Sequence, residues 1–174
     1  MYDIKNKNLV VNEINVGLVN PSFILTRNKL IYSVEETNQG RLNVIDSQQQ
    51  LIRTVQTFGN DPFHISINER GNRLVVTNYS SATFIMYELT GLVPSRVSSY
   101  VKHEGSSINP DRQSSPHPHC SVFSEDDQIL FVSDLGTDIV YYYTVVYGGE
   151  QSLVCEKDKC LKITGCGPRH LTRG

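Results

Sequence analysis

Pro62-Phe-His-Ile-Ser-Ile-Asn-Glu-Arg-Gly-Asn-Arg-Leu-Val-Val-Thr-Asn-Tyr79 reads as a proline-led strand, a tight turn at Arg70-Gly71-Asn72, and a second strand ending in a polar pair. Two more segments follow the same plan. Pro21-Ser-Phe-Ile leads to Leu30-Ile-Tyr-Ser-Val-Glu-Glu36, and Pro116-His-Pro-His leads to Leu130-Phe-Val-Ser-Asp-Leu135. With Leu30, Leu74 and Leu130 as anchors, the offsets are 44 and 56 residues. A period of about 40–50 residues built from short strands marks a β-propeller blade. The longer second offset places an insertion in the connection after residue 101, and in repeat folds such insertions gather on one face, often the binding face.

The other strand signals agree. Leu9-Val10-Val11, Leu51 to Val55, Ala82 to Leu89 and Ile139 to Val146 are short and rich in β-branched or aromatic residues, which suit a pleated surface. Gly40, Asp126-Asp127 and Gly148-Gly149 punctuate them. No stretch has a sustained helical period with a matching cap. The predicted fold is all-β, a β-propeller of four-stranded antiparallel blades, with residues 1–174 forming one domain. A fourth repeat opens at Gly167-Pro168-Arg169-His170, patterned like Asp61-Pro62-Phe63-His64, and its second strand would fall past Gly174. Residues 1–16 read as the later strands of a preceding blade. The expectation is about three to three and a half blades, whereas a closed ring takes about four to eight.

Composition excludes several classes. Sixteen Lys and Arg against 18 Asp and Glu give a formal charge of −2, mixed along the chain, so neither nucleic acid nor an anionic membrane is an expected partner. The apolar run Ile139 to Tyr147 is too short to span a bilayer. Met1-Tyr-Asp-Ile-Lys5 lacks the apolar region of a signal peptide, so the expected setting is the cytoplasm. Four cysteines fit reduced thiols there. Cys155, Cys160, Cys166 and His170 can be imagined around zinc, but their gaps match no tight Cys-x2-Cys pattern, and no metal is expected. Without a phosphate-cradling glycine loop or a Gly-x-Ser-x-Gly elbow, no cofactor is expected either.

Function is sought in His103-Glu-Gly-Ser-Ser-Ile-Asn-Pro-Asp-Arg-Gln-Ser-Ser-Pro-His-Pro-His119, which holds three of the five histidines and almost no aliphatic side chains. A segment this poor in apolar groups is held by what flanks it, and long loops in a short-looped chain are usually functional or disordered. His117 and His119 lie two apart, so an extended backbone points both imidazoles to one face.

Three motifs in this order resemble the lactonase family of seven-bladed β-propellers, typified by bacterial-type 6-phosphogluconolactonase and fungal carboxy-muconate cyclase. They are the loop with its Asn109-Pro-Asp-Arg-Gln113 and Pro116-His-Pro-His119 runs, Phe131-Val-Ser-Asp-Leu-Gly-Thr-Asp138, and Gly165-Cys-Gly-Pro-Arg-His-Leu171. The resemblance spans residues 17–172. It implies a partial propeller of seven-bladed parentage, acting on a sugar-phosphate lactone in the pentose phosphate pathway, without a cofactor, and as a monomer when full-length. It also implies departures: the family's chain is about twice as long, Pro118 and Cys166 stand where small residues are usual, and a glutamate carried one strand beyond Pro-Arg-His lies outside this chain. Weak or no activity and poor solubility are expected of the 174 residues alone, since an unclosed ring leaves strand edges unpaired.

Opening a lactone needs a base for water and a cation for the oxyanion, and a phosphate needs a guanidinium. His117, His119 and Arg169 are the catalytic candidates; His103, Arg112 and His170 are the substrate-binding ones. Blander roles stand beside each. The His117–His119 pair could be a solvated turn, Arg169 and His170 a blade junction, Arg112 a surface partner of Glu104 or Asp111, and His103 with Glu104 a shaper of the loop rather than a contact to substrate. His64 reads as structural, and Asp134 and Asp138 as acceptors for turn amides. The same arginines would hold the carboxylates of a muconate in a cyclase-type enzyme, and a non-catalytic binding scaffold is the alternative of another class.

Overall fold

The computed structural model describes residues 2–5, 8–11, 17–148 and 152–173. Strands β1 (Tyr2–Lys5) and β2 (Asn8–Val11) pair antiparallel. Three larger sheets follow in chain order. The first blade is β3 (Pro21–Arg27), β4 (Leu30–Glu35), β5 (Arg41–Ile45) and β6 (Leu51–Gln56); the second is β7 (Pro62–Ile67), β8 (Arg73–Asn78), β9 (Thr83–Thr90) and β10 (Val93–Lys102). The third is β11 (Pro118–Phe123), β12 (Ile129–Asp134), β13 (Ile139–Val145) and β14 (Leu153–Cys155), with β15 (Leu161–Lys162) also pairing β13. Every pairing is antiparallel between sequence neighbours, apart from β15 on β13, as the repeat predicts. The leading strands β3, β7 and β11 lie side by side, and Ser66 and Ser121 join the last two by a 2.8 Å hydroxyl contact.

The middle blade shows why its strands read as unbroken apolar runs. Leu74 and Val76 of β8, with Ile85 and Tyr87 of β9, pack against Tyr32, Val34, Leu42 and Val44 of the first blade. Val75, Phe84 and Met86 point the other way, into Phe123, Leu130, Val132 and Tyr143 of the third. Alternate side chains thus fill two separate cores, so neither face can be polar. Each such side chain contributes about 1.5–3 kcal/mol by leaving water.

Register corrects one boundary. Pro21, Pro62 and Pro118 pair with Glu35, Asn78 and Asp134, and in each blade the next residue is skipped by the ladder as a bulge. Pro118 therefore leads the third blade, not Pro116, and Ser22, Phe63 and His119 are its equivalent bulge residues. The outermost strand of the third blade is also broken. A 3-10 turn at Lys157–Lys159 separates β14 from β15, and the Cys160 thiol accepts the Tyr142 amide at 3.4 Å where the ladder is interrupted. Strand β10 carries too many polar residues to signal itself in sequence, and it contains two register shifts.

Candidate active site

The 103–117 connection is folded, and Gln113 is its anchor. Although polar, Gln113 is 3 % exposed and donates from Nε2 to the Leu135 carbonyl at 2.8 Å and to Asp138 Oδ1 at 2.7 Å. Its Oε1 accepts the Asn109 amide, and its backbone bonds Ser107 and Asn109. Gly136 permits the approach, because a Cβ there would overlap the Ser115 carbonyl.

His117 and His119 stand at the entry of β11. The His117 amide donates to Asp134 Oδ1 at 2.8 Å, and its ring stacks on Tyr79 at 4.3 Å. Nδ1 of His117 lies 3.1 Å from the Tyr79 carbonyl, an acceptor only, so in the neutral ring the proton sits on Nδ1 and the lone pair on Nε2. Among the described residues the Nε2 atom faces only the Ser115 hydroxyl, at 3.4 Å. His119 is opposite in character. It is 2 % exposed, with its ring against Phe63 and Tyr79, and Arg169 Nε–H donates to its Nε2 at 3.2 Å. Burial first, then the Arg169 charge, lowers its pKa to about 4. His119 is thus a neutral imidazole whose lone pair is taken by Arg169, and its buried Nδ1 has no partner among the described residues.

Arg169 joins this rim to a groove of about 360 Å³. Ile108, Asn109, Arg112 and Gln113 form one wall, and Leu135, Gly165, Cys166, Gly167 and Arg169 the other. Arg112 and Arg169 both line the groove, and neither has a carboxylate partner among the described residues, so the surface pairing of Arg112 with Glu104 or Asp111 does not form. His170 is exposed and sets its ring edge-to-face with His119 at 5.1 Å.

Of the two readings of His103, the structure favours the one that shapes the loop. His103 is buried, with Nδ1 2.6 Å from Asp134 Oδ2 and Nε2 2.9 Å from the Tyr143 hydroxyl. Burial pushes the Tyr143 phenol well above its ordinary range, so it remains a donor to Nε2, and Nδ1 donates to Asp134. Both ring nitrogens are used, and His103 braces the blade rather than meeting a substrate. Asp134 also takes the amides of Gly136 and Thr137, as a turn aspartate should. His64 is structural: its Nδ1 accepts the Ser121 amide and its Nε2 faces the Cys120 thiol. Sequence reasoning missed the roles of Gln113 and Tyr79, which carry no signal of their own in polar or aromatic surroundings.

Among the described residues no three His, Cys, Asp or Glu side chains converge as metal ligands. Cys155 and Cys160 lie 4.0 Å apart in the third blade's outer edge, whereas Cys166 lines the groove. No helix among the described residues is long and apolar enough to cross a membrane.

The model of the lactonase family, a seven-bladed β-propeller, matches residues 1–173. The chain belongs to this family. It is 32 % identical over 167 residues to the 6-phosphogluconolactonase of Formosa agariphila, covering 88 % of this chain and 47 % of that protein. The Bacillus subtilis 6-phosphogluconolactonase is 26 % identical over 186 residues, covering 97 % of this chain and 50 % of the relative. The solved periplasmic gluconolactonase PpgL of Pseudomonas aeruginosa superposes with a TM-score of 0.84 at 27 % identity, covering 97 % and 52 % of the two chains. This lactonase-family chain therefore spans about half the length of the curated relatives it matches.

Proposed function

We propose that the protein contributes the base and the anion anchor of a 6-phosphogluconolactonase, acting in the cytoplasm as a hydrolase of 6-phospho-D-glucono-1,5-lactone. The observation that carries this reading is the pair of arginines without a carboxylate partner among the described residues, Arg112 and Arg169, lining one groove, with the His119 imidazole holding Arg169 at its edge. Named relatives with lactonase activity support it.

In this reading the phosphate lies between the guanidinium groups, which suit its geometry and charge. His119 holds Arg169 by its Nε atom and leaves the terminal nitrogens for the anion. Water attacks the lactone C1 while its proton passes to His117 Nε2, and the carbonyl oxygen becomes an oxyanion near the cationic rim. Collapse of that intermediate breaks the C1–O5 bond, and the proton returns from His117 to O5. The carboxylic acid so formed gives its remaining proton to solvent, leaving 6-phosphogluconate with His117 neutral again. His170 is open to solvent beside His119, where sugar hydroxyls would meet it.

His117→Gln in the full-length protein is expected to lower kcat by about 10²–10⁴-fold with little change in KM. Unchanged kcat removes His117 as the base. Assaying the phosphorylated lactone beside unphosphorylated gluconolactone and carboxy-muconate fixes the substrate, and turnover of none of them leaves a binding scaffold.

A further inference from the structure

Asp138 occupies the last turn position before β13, with φ +59°, and its carboxylate is shared out in an ordered way. Oδ1 accepts from Gln113 Nε2 of the loop and from the Gly167 amide, both at 2.7 Å. Oδ2 accepts from Ser107 Oγ of the loop and from the Gly165 amide, both at 2.6 Å. Each oxygen therefore bridges the same two segments. One segment carries Arg112, and the other runs directly into Arg169.

We propose that Asp138 is the positioning residue that sets the spacing of Arg112 and Arg169, and with it the preference of the groove for a phosphorylated over an unphosphorylated sugar acid. The proposal rests on the anion-anchor reading above and adds the residue that makes the anchor rigid. Four donors saturate the four acceptor sites of the carboxylate, so it has no lone pair left for either arginine. A carboxylate at this point thus binds both walls without neutralising their charge. Burial favours the neutral acid, but the bonds from Ser107, Gly165, Gly167 and Gln113 prevail and lower its pKa to about 2, so it stays ionised at working pH. Charge-assisted bonds of this kind are shorter and stronger than neutral ones, which suits a fixed spacing. Two walls held separately would each drift with their own loop, and a forked anion contact is sensitive to that.

Two variants test it in the full-length protein. In Asp138→Asn the new side chain tolerates the left-handed backbone as Asp does, yet its amide turns one bridging acceptor into a donor facing two donors. Asp138→Ala places there the residue that the second blade already carries at the same turn position, Ala82, at φ +59°. Calorimetric titration with 6-phosphogluconate and with gluconate is the readout. Both variants are expected to weaken 6-phosphogluconate binding by about tenfold or more while changing gluconate binding less than about twofold. In an Arg169→Gln background the same substitutions are expected to have little further effect. Equal weakening for both ligands, no weakening, or additivity with Arg169→Gln overturns the proposal, as does a wild-type protein that does not distinguish the two anions. Selective phosphate binding without turnover of any lactone would sink the hydrolase reading and leave the role of Asp138 standing.

Discussion

The second and third blades open on the same backbone and present different chemistry there. Pro62 pairs with Asn78 as Pro118 pairs with Asp134, and the bulge residue that follows is Phe63 in one and His119 in the other. The turn to the third strand ends at Ala82 in the second blade and at Asp138 in the third, both in the left-handed region. Asn78 donates to the Thr57 carbonyl and to Thr83, closing its own turn. Asp134 instead accepts three amides and His103. Replacing a neutral amide and a methyl by two carboxylates is what lets the third blade hold a loop that the second lacks. A carboxylate has several lone pairs and no proton of its own, so it can gather donors from distant segments, as Asp138 gathers Ser107 and Gln113 of the loop.

The largest expected difference between the blades is energetic. Asp134→Ala strands the amides of His117, Gly136 and Thr137 and the His103 Nδ1–H, and is expected to cost about 3–5 kcal/mol in urea unfolding. Asn78→Ala removes two bonds and leaves less behind, for a cost of about 1–2 kcal/mol. Equal losses in the two blades would mean that the loop is not held through Asp134.

The pH response sharpens the same contrast. His64 in the second blade and His119 in the third both have pKa values lowered to about 4, chiefly by burial, from an ordinary 6.5. Between those values the unfolded chain binds protons that the folded chain refuses, so stability falls as pH drops from about 6.5 to 4 and is level above. Asp138, lowered to about 2, adds a second loss between about 4 and 2, since its ionised form is the bonded one. His119→Phe gives the third blade the second blade's bulge residue, and should remove about half of the slope between pH 4 and 6.5 in urea midpoints. A slope left intact would show that His64 alone carries it.

The parts legible in the sequence are those set by periodicity. The Pro-to-Leu repeat, the turns and the apolar runs follow from strands buried on both faces, and the insertion after residue 101 stands out against that period. The parts that were not legible depend on side chains meeting across strands. Pro116 and Pro118 fit a strand entry equally well by sequence, and only the pairing of Pro118 with Asp134 separates them. His103 opens the histidine-bearing loop and so resembles a site residue, yet it is buried by Tyr141, Tyr143 and Phe84 from other strands. Gln113 lies in a run of polar residues, where nothing local marks the one that turns inward. Arg112 and Arg169 lie 57 residues apart in the chain, and only the fold brings them to one groove.

The smallest expected effect separates holding the structure from holding an anion. Arg73 of the second blade is buried and bonded, to Glu88 at 3.2 Å and the Asn72 carbonyl at 3.1 Å, so Arg73→Gln should cost about 1–3 kcal/mol. Arg112 is exposed, with no partner for its guanidinium among the described residues, and Arg112→Gln should change unfolding free energy by less than about 0.5 kcal/mol. An arginine that costs little to remove and shares a groove with Arg169 is available to an anion without loss to the fold. If Arg112→Gln lowers the urea midpoint as much as Arg73→Gln does, the loop arginine is a structural strut, and the asymmetry between the two blades is one of stability alone.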